Sequence, residues 1–166
     1  MKILLVVDLQ QEFKLEPYYS QTIQFIKDNK QNYDKVIATR FLNTENSPFV
    51  QKLGYDDAMK RSKMEFPYDI LFSKHTYECG NGFYKHIKQD DIDIVGCDTD
   101  ACILAMCFEM FRYNMNFRLL ADYCYSSGGD DYHNMALDII YRNFGADSIV
   151  EHGTFIPLNE DIDEGI

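Results

Sequence analysis

Six short apolar runs punctuate the chain, and most of the intervals between them carry a helical pattern. The runs fall at 3–7, 35–41, 68–73, 92–95, 117–121 and 148–151. The intervals hold a stretch with Ile23, Phe25 and Ile26, a short helix opened by Pro48 and reaching Leu53, and another over 83–89. A further helix follows Cys102, with Ile103, Leu104, Met106, Cys107, Phe108, Met110 and Phe111 all apolar, and a last one covers 130–144. Strands that alternate with helices pair in parallel and need helices over both faces of the sheet. The pattern therefore predicts an α/β fold with a doubly wound, mainly parallel six-stranded sheet. Its expected strand order is 3-2-1-4-5-6. The 166 residues are one domain's worth, so 1–166 is read as a single domain, with the acidic tail 160–164 as a frayed end.

Open sheets of this kind bind ligands beyond the carboxyl ends of their strands. Asp8 lies just past the first run, Lys74 just past the third and Cys102 just past the fourth, so all three fall on one rim. In IDIVGCDTDAC (92–102) a buried strand turns sharply and the cysteine stands where a helix begins. Free N–H groups and the helix dipole favour an anion there, and the thiolate is the reactive form of cysteine. A lysine ammonium would favour the thiolate further, while Asp98 and Asp100 would oppose it.

Other chemistries lack their signatures. There is no G-x-x-x-x-G-K-[ST] loop, no G-x-G-x-x-G after the first strand and no G-x-S-x-G elbow. An aspartyl-phosphate enzyme would want a carboxylate two residues after Asp8, and Gln10 stands there. A net charge of −11, without any run of Lys or Arg, argues against a nucleic-acid partner. No segment is apolar for the roughly 20 residues that span a bilayer, and the apolar stretch before Asp8 is too short for a signal peptide. Five cysteines, an odd number, point to reduced thiols and a cytoplasmic location. Cys97, Cys102 and Cys107 are spaced five apart, which does not put them on one helical face and argues against zinc. Cys107 and Cys124 read as small buried hydrophobes.

LLVVDLQQEF with Asp8, Gln10 and Phe13, SKHTY with Lys74 and Tyr77, and VGCDTDACIL with Gly96, Thr99, Asp100 and Cys102 follow one another along the chain. A weaker block, ADYCYSSGGDDYHNMAL, holds Asp122, Ser126 and His133. Together these blocks resemble the isochorismatase-like cysteine hydrolases, the superfamily of nicotinamidases and N-carbamoylsarcosine amidohydrolases. The resemblance implies a catalytic triad of Asp8, Lys74 and Cys102 that cleaves a small-molecule amide or related C–N bond through a thioester. It also implies a cis peptide at Cys97–Asp98, an oxyanion hole made by the backbone N–H groups of Asp98 and Cys102, and a homodimer or homotetramer; no cofactor is expected. Members that cleave the vinyl ether of isochorismate lack the cysteine.

Nicotinamidases of that family carry an Asp-x-His pair after the second strand. Here Phe41 and Asn43 stand in its place, and none of the four histidines lies nearby. A bound metal is therefore not expected. Phe13, Phe41, Tyr77 and Tyr125 are candidates to line a pocket for a small planar substrate, and His133 reads as structural. Two other readings stay open: a catalytically idle binding module on the same fold, and a redox protein using Cys97 and Cys102.

Overall fold

In the computed structural model, which describes residues 1–151, the chain forms eleven principal elements. They are β1 (Lys2–Val7), α1 (Tyr18–Asn29), β2 (Lys35–Phe41), α2 (Pro48–Leu53), β3 (Ile70–Lys74), α3 (Asn81–Ile87), β4 (Asp91–Cys97), α4 (Leu104–Arg112), β5 (Asn116–Tyr125), α5 (Asp130–Phe144) and β6 (Ile149–Val150). The strands lie in the order β3-β2-β1-β4-β5-β6, and every adjacent pair is parallel. This is the doubly wound architecture read from the alternating runs. The tail 160–164 and His152 lie outside the described residues. No helix among the described residues is long and apolar enough to cross a membrane.

The period-2 alternation of a strand sorts its side chains between two layers. Ile3, Leu5 and Val7 of β1 pack with Ile92 and Ile94 of β4 against Tyr84, Met106, Met110 and Ile140, which come from α3, α4 and α5. Leu4 and Val6 face the other way, with Val36, Ala38 and Val95, against Tyr19, Ile23, Phe25 and Ile26 of α1. Each such aliphatic side chain, fully buried, is worth about 1.5–3 kcal/mol. Both layers meet on β1 and β4, so the centre of the sheet is the most constrained part of the fold.

The chain runs outward from β1 to β2 and β3, then returns to place β4 on the other side of β1. Val7 is consequently flanked by Thr39 of β2 and Gly96 of β4. At Gly96 the two backbones touch. A Cβ there would sit 2.2 Å from the Val7 carbonyl oxygen, and the residue has φ +117°. Only glycine fits both demands.

Several boundaries differ from the sequence reading. β3 starts at Ile70 and includes Lys74, α3 starts at Asn81, and β6 has two residues. β5 continues past Ala121 to Tyr125 through a register shift opposite Ile94 and Gly96. The polar Asp122 inside it looks like a strand end, yet the bulge keeps the ladder running. The winding before α4 starts at Thr99, as one π-helical turn over Thr99–Ile103, so Cys102 lies inside the first turn and not ahead of it.

Candidate active site

Asp8 is the first residue beyond β1 and adopts φ +47°, a left-handed conformation that non-glycine residues rarely hold without support. Its support is Thr39. The Asp8 N–H donates to the Thr39 carbonyl and hydroxyl, both at 3.2 Å, and the hydroxyl donates to Asp8 Oδ1 at 2.8 Å. The Asp8 carbonyl accepts from Gln10 N–H at 2.9 Å and from the Cys97 thiol at 3.2 Å. Asp8 is fully buried. An isolated carboxylate in that setting would be costly, and its second oxygen meets the ammonium of Lys74 at 2.7 Å.

Lys74 ends β3, two strands from β1, and its Cα pairs with Phe41 at the end of β2. Its side chain crosses β2 along the Phe41 ring, with Nζ 5.5 Å from the ring centroid. Beyond the ring the ammonium donates to the carbonyls of Thr76 (2.8 Å) and Tyr77 (3.2 Å) and to Cys102 Sγ at 3.2 Å. Burial alone would lower the lysine pKa. The negative charge of Asp8 and the neighbouring sulfur outweigh it and raise the pKa above the ordinary value.

Cys102 is half-buried. Burial pushes its thiol well above the usual range, and the Asp8 carboxylate adds to this, while Lys74 pulls the other way without prevailing. The sequence reading expected the helix terminus and the lysine to favour a thiolate. Enclosure and the adjacent carboxylate reverse the balance and favour the thiol. The preceding Cys97–Asp98 peptide is cis. The Asp98 carbonyl accepts from Ala101 N–H and Ile103 N–H, both at 3.1 Å, which winds the wide turn that carries the sulfur. The Asp98 carboxylate accepts from Ser127 N–H (2.8 Å) and Ser127 hydroxyl (2.7 Å). Burial still raises its pKa, against those two bonds.

Cys102 opens onto a cavity of about 420 Å³. Phe13, Phe41 and Tyr77 line it, as the sequence suggested. Tyr125 does not. It is 2% exposed, it stacks on Tyr18, and its hydroxyl donates to the Phe13 carbonyl at 3.0 Å. The extension of β5 turns that residue into the α1 layer, so its role is in the core. The reading also missed Glu12, Phe49, Leu53 and Tyr55.

Phe49 and Leu53 stand four apart on α2, which puts them on one face. That helix is fixed by its ends. The Ser47 hydroxyl caps it by accepting from Val50 N–H, Pro48 opens it, and Gly54 closes it at φ +65°. Ring contacts run from Phe13 to Phe41 (6.1 Å), Phe41 to Phe49 (4.9 Å) and Phe49 to Tyr77 (5.0 Å), making one wall. Glu12 is held by the hydroxyl of Ser62 (2.6 Å) and the amide of Gln10 (3.2 Å). The fully buried Gln10 also clamps both backbone groups of Phe41.

His133 serves structure, since its Nδ1 pairs with the buried Thr99 hydroxyl at 2.7 Å. Ser126 accepts from Gly128 N–H, and Asp122 is exposed on β5. Cys97 is buried in the α1 layer, whereas Cys102 packs on the opposite one.

The residues do not fit a metal of the kind the Asp-x-His pair would bind. Phe41 presents a ring to Lys74. The Asn43 amide is spent on loop geometry, donating to the carbonyls of Tyr55 and Asp57 and accepting from Thr44 N–H and the Ser47 hydroxyl. Among the described residues, no group of three or more His, Cys, Asp or Glu could hold a metal ion.

Comparison with known proteins bears on this geometry. The family model described as Isochorismatase domain matches residues 2–148. The fold resembles N-carbamoylsarcosine amidase from Thermoplasma acidophilum (TM-score 0.72, 19% identity, 93% of this chain and 99% of that one). It also resembles a pyrazinamidase/nicotinamidase from Streptococcus mutans UA159 (TM-score 0.72, 15% identity, 90% and 100%). A third likeness is pyrazinamidase of Pyrococcus horikoshii, solved in complex with zinc (TM-score 0.70, 18% identity, 91% and 99%). A search of curated proteins finds no match.

Proposed function

The chain belongs to the isochorismatase family of hydrolases, and on that footing we propose that it hydrolyses a small-molecule amide or related C–N bond with Cys102 as nucleophile. The observation that carries the proposal is the double contact of Lys74. Its ammonium lies 2.7 Å from the Asp8 carboxylate and 3.2 Å from the Cys102 sulfur, at the floor of a cavity.

With the thiol favoured at rest, its proton has to leave during attack. Asp8 accepts it while Sγ adds to the carboxamide carbon, whose C=O electron pair moves onto oxygen. The backbone N–H groups of Asp98 and Cys102 hold that oxyanion, and losing one such donor costs about 10²–10³ in rate. Collapse expels ammonia or an amine, which takes its proton from Asp8, and leaves an acyl thioester on Cys102. Asp8 then draws a proton from water as the water attacks the thioester, releasing the acid and restoring the thiol. Lys74 keeps its ammonium throughout and offsets the charge on Asp8 or on sulfur at each stage.

An ammonia-release screen over small carboxamides and ureido acids, with Cys102→Ala as control, tests this reading. Turnover with the wild type, its loss in the variant, and an acyl adduct on the Cys102 peptide by mass spectrometry are expected. Undiminished ammonia release by Cys102→Ala would remove Cys102 from the role of nucleophile.

A further inference from the structure

The cavity over Cys102 has a one-sided charge. Glu12 and Asp98 are among its lining residues, and among the described residues no Lys, Arg or His lines it. Lys74 lies beneath the floor, 4% exposed and ion-paired to Asp8. The rest of the wall is aromatic, with Phe13, Phe41, Phe49, Tyr55 and Tyr77. Both carboxylates are anchored by neutral donors, Glu12 by Ser62 and Gln10, and Asp98 by Ser127. Neither has a cationic side chain bonded to it. The Tyr55 hydroxyl is buried without a hydrogen-bond partner among the described residues, and its pKa is raised by burial first and then by the charges of Asp57, Glu12 and Asp98.

Ring faces combined with uncompensated carboxylates attract onium groups and repel anions. The reaction itself sharpens the point. Lys74 offsets the charge that grows on sulfur, whereas the charge that grows on the carbonyl oxygen meets the Asp98 carboxylate, which a cation on the substrate would offset.

We propose that the natural substrate is a small cationic amide, its ammonium or quaternary ammonium group seated between Glu12, Asp98 and the aromatic wall while its carbonyl carbon faces Cys102. This rests on the reading of Cys102 as the nucleophile of an amide hydrolase. It adds the charge class of the substrate, which neither the family nor the fold fixes.

Three amides of similar size separate the possibilities. Betaine amide is cationic, 3,3-dimethylbutanamide is its neutral isostere, and succinamate is anionic. Betaine amide should exceed both others in kcat/KM by at least about tenfold, the factor that 1.4 kcal/mol carries. Glu12→Gln should shrink the ratio between betaine amide and its isostere. Calorimetric binding to Cys102→Ala gives the same ranking without turnover, and so tests the pocket apart from the chemistry. If betaine amide binds best but no amide is hydrolysed, the hydrolase reading fails and the cation site stands. Equal or better binding and turnover of the neutral or anionic amide would overturn the proposal.

Discussion

Lys74 reaches Asp8 across an intervening strand, and the Phe41 ring at the end of that strand forms the surface it crosses. The ion pair is almost wholly enclosed, with side-chain exposures of 2% and 0%. Enclosed pairs are weak evidence of net stability while intact, but removing one partner strands the other charge.

Lys74→Met should therefore destabilise the protein by about 3–5 kcal/mol near neutral pH, read by urea denaturation, and abolish turnover. The wild-type pair should also have a pH signature. The lysine pKa is raised in the folded state, so its stabilisation is complete below the unfolded value of about 10.4. It is lost as pH climbs from there through the higher folded value. Urea midpoints that decline between pH 7 and 9 through this pair would contradict the assignment.

The raised thiol makes a second prediction. Alkylation of Cys102 by iodoacetamide, followed by peptide mass spectrometry, should be slow at pH 7 and still accelerating above pH 8.5, the ordinary thiol value. Burial is the largest cause and Asp8 the next. Asp8→Asn removes the second cause and leaves Lys74 to pull the thiol down. That variant should alkylate faster at neutral pH while losing amide turnover. Slower alkylation in Asp8→Asn would mean that the carboxylate does not act on the sulfur in this way.

Thr39 should act as a positioning residue. Its hydroxyl is the donor to Asp8 Oδ1, and Thr39→Val leaves that buried oxygen short of a partner at a cost of about 1–3 kcal/mol. The expected result is a fall in kcat with little change in KM, and recovery in Thr39→Ser. A purely structural role would lower stability without that kinetic split.

Gly96→Ala tests the close approach of β4 to β1. The new Cβ would meet the Val7 backbone at 2.2 Å, in a conformation alanine resists. A loss of at least about 2 kcal/mol is expected from the backbone conformation and the contact together, measured as a lowered thermal midpoint. Wild-type stability in the alanine protein would show that the strands separate there easily.

The apolar runs disclosed the sheet because each buried strand must satisfy its layers locally, and β1 and β4 do so without interruption. Asp8, Lys74 and Cys102 fell on one rim for the same reason: parallel strands end on the same side. What stayed hidden depends on non-local geometry. The stretch Asp98-Thr99-Asp100 looks like a polar loop, yet Thr99 is buried by its bond to His133 from α5, some thirty residues later. Tyr125 looked like a rim residue because Asp122 seemed to end its strand, and only the irregular pairing of β5 with β4 carries it inward. Phe49, Leu53 and Tyr55 had a legible helix and turn. Nothing local told which part of the molecule that helix would cover.

The segment 42–69 carries Phe49, Leu53 and Tyr55 over the cavity yet supplies none of the three side chains assigned to bond making and breaking. It is tied down at its two ends by β2 and β3 and capped internally by Ser47 and Gly54. Part of the wall that a substrate meets is therefore carried by a stretch that holds no reacting side chain. A graft of this stretch from a relative should change the fit to the apolar part of a substrate while Glu12 and Asp98 stay in place.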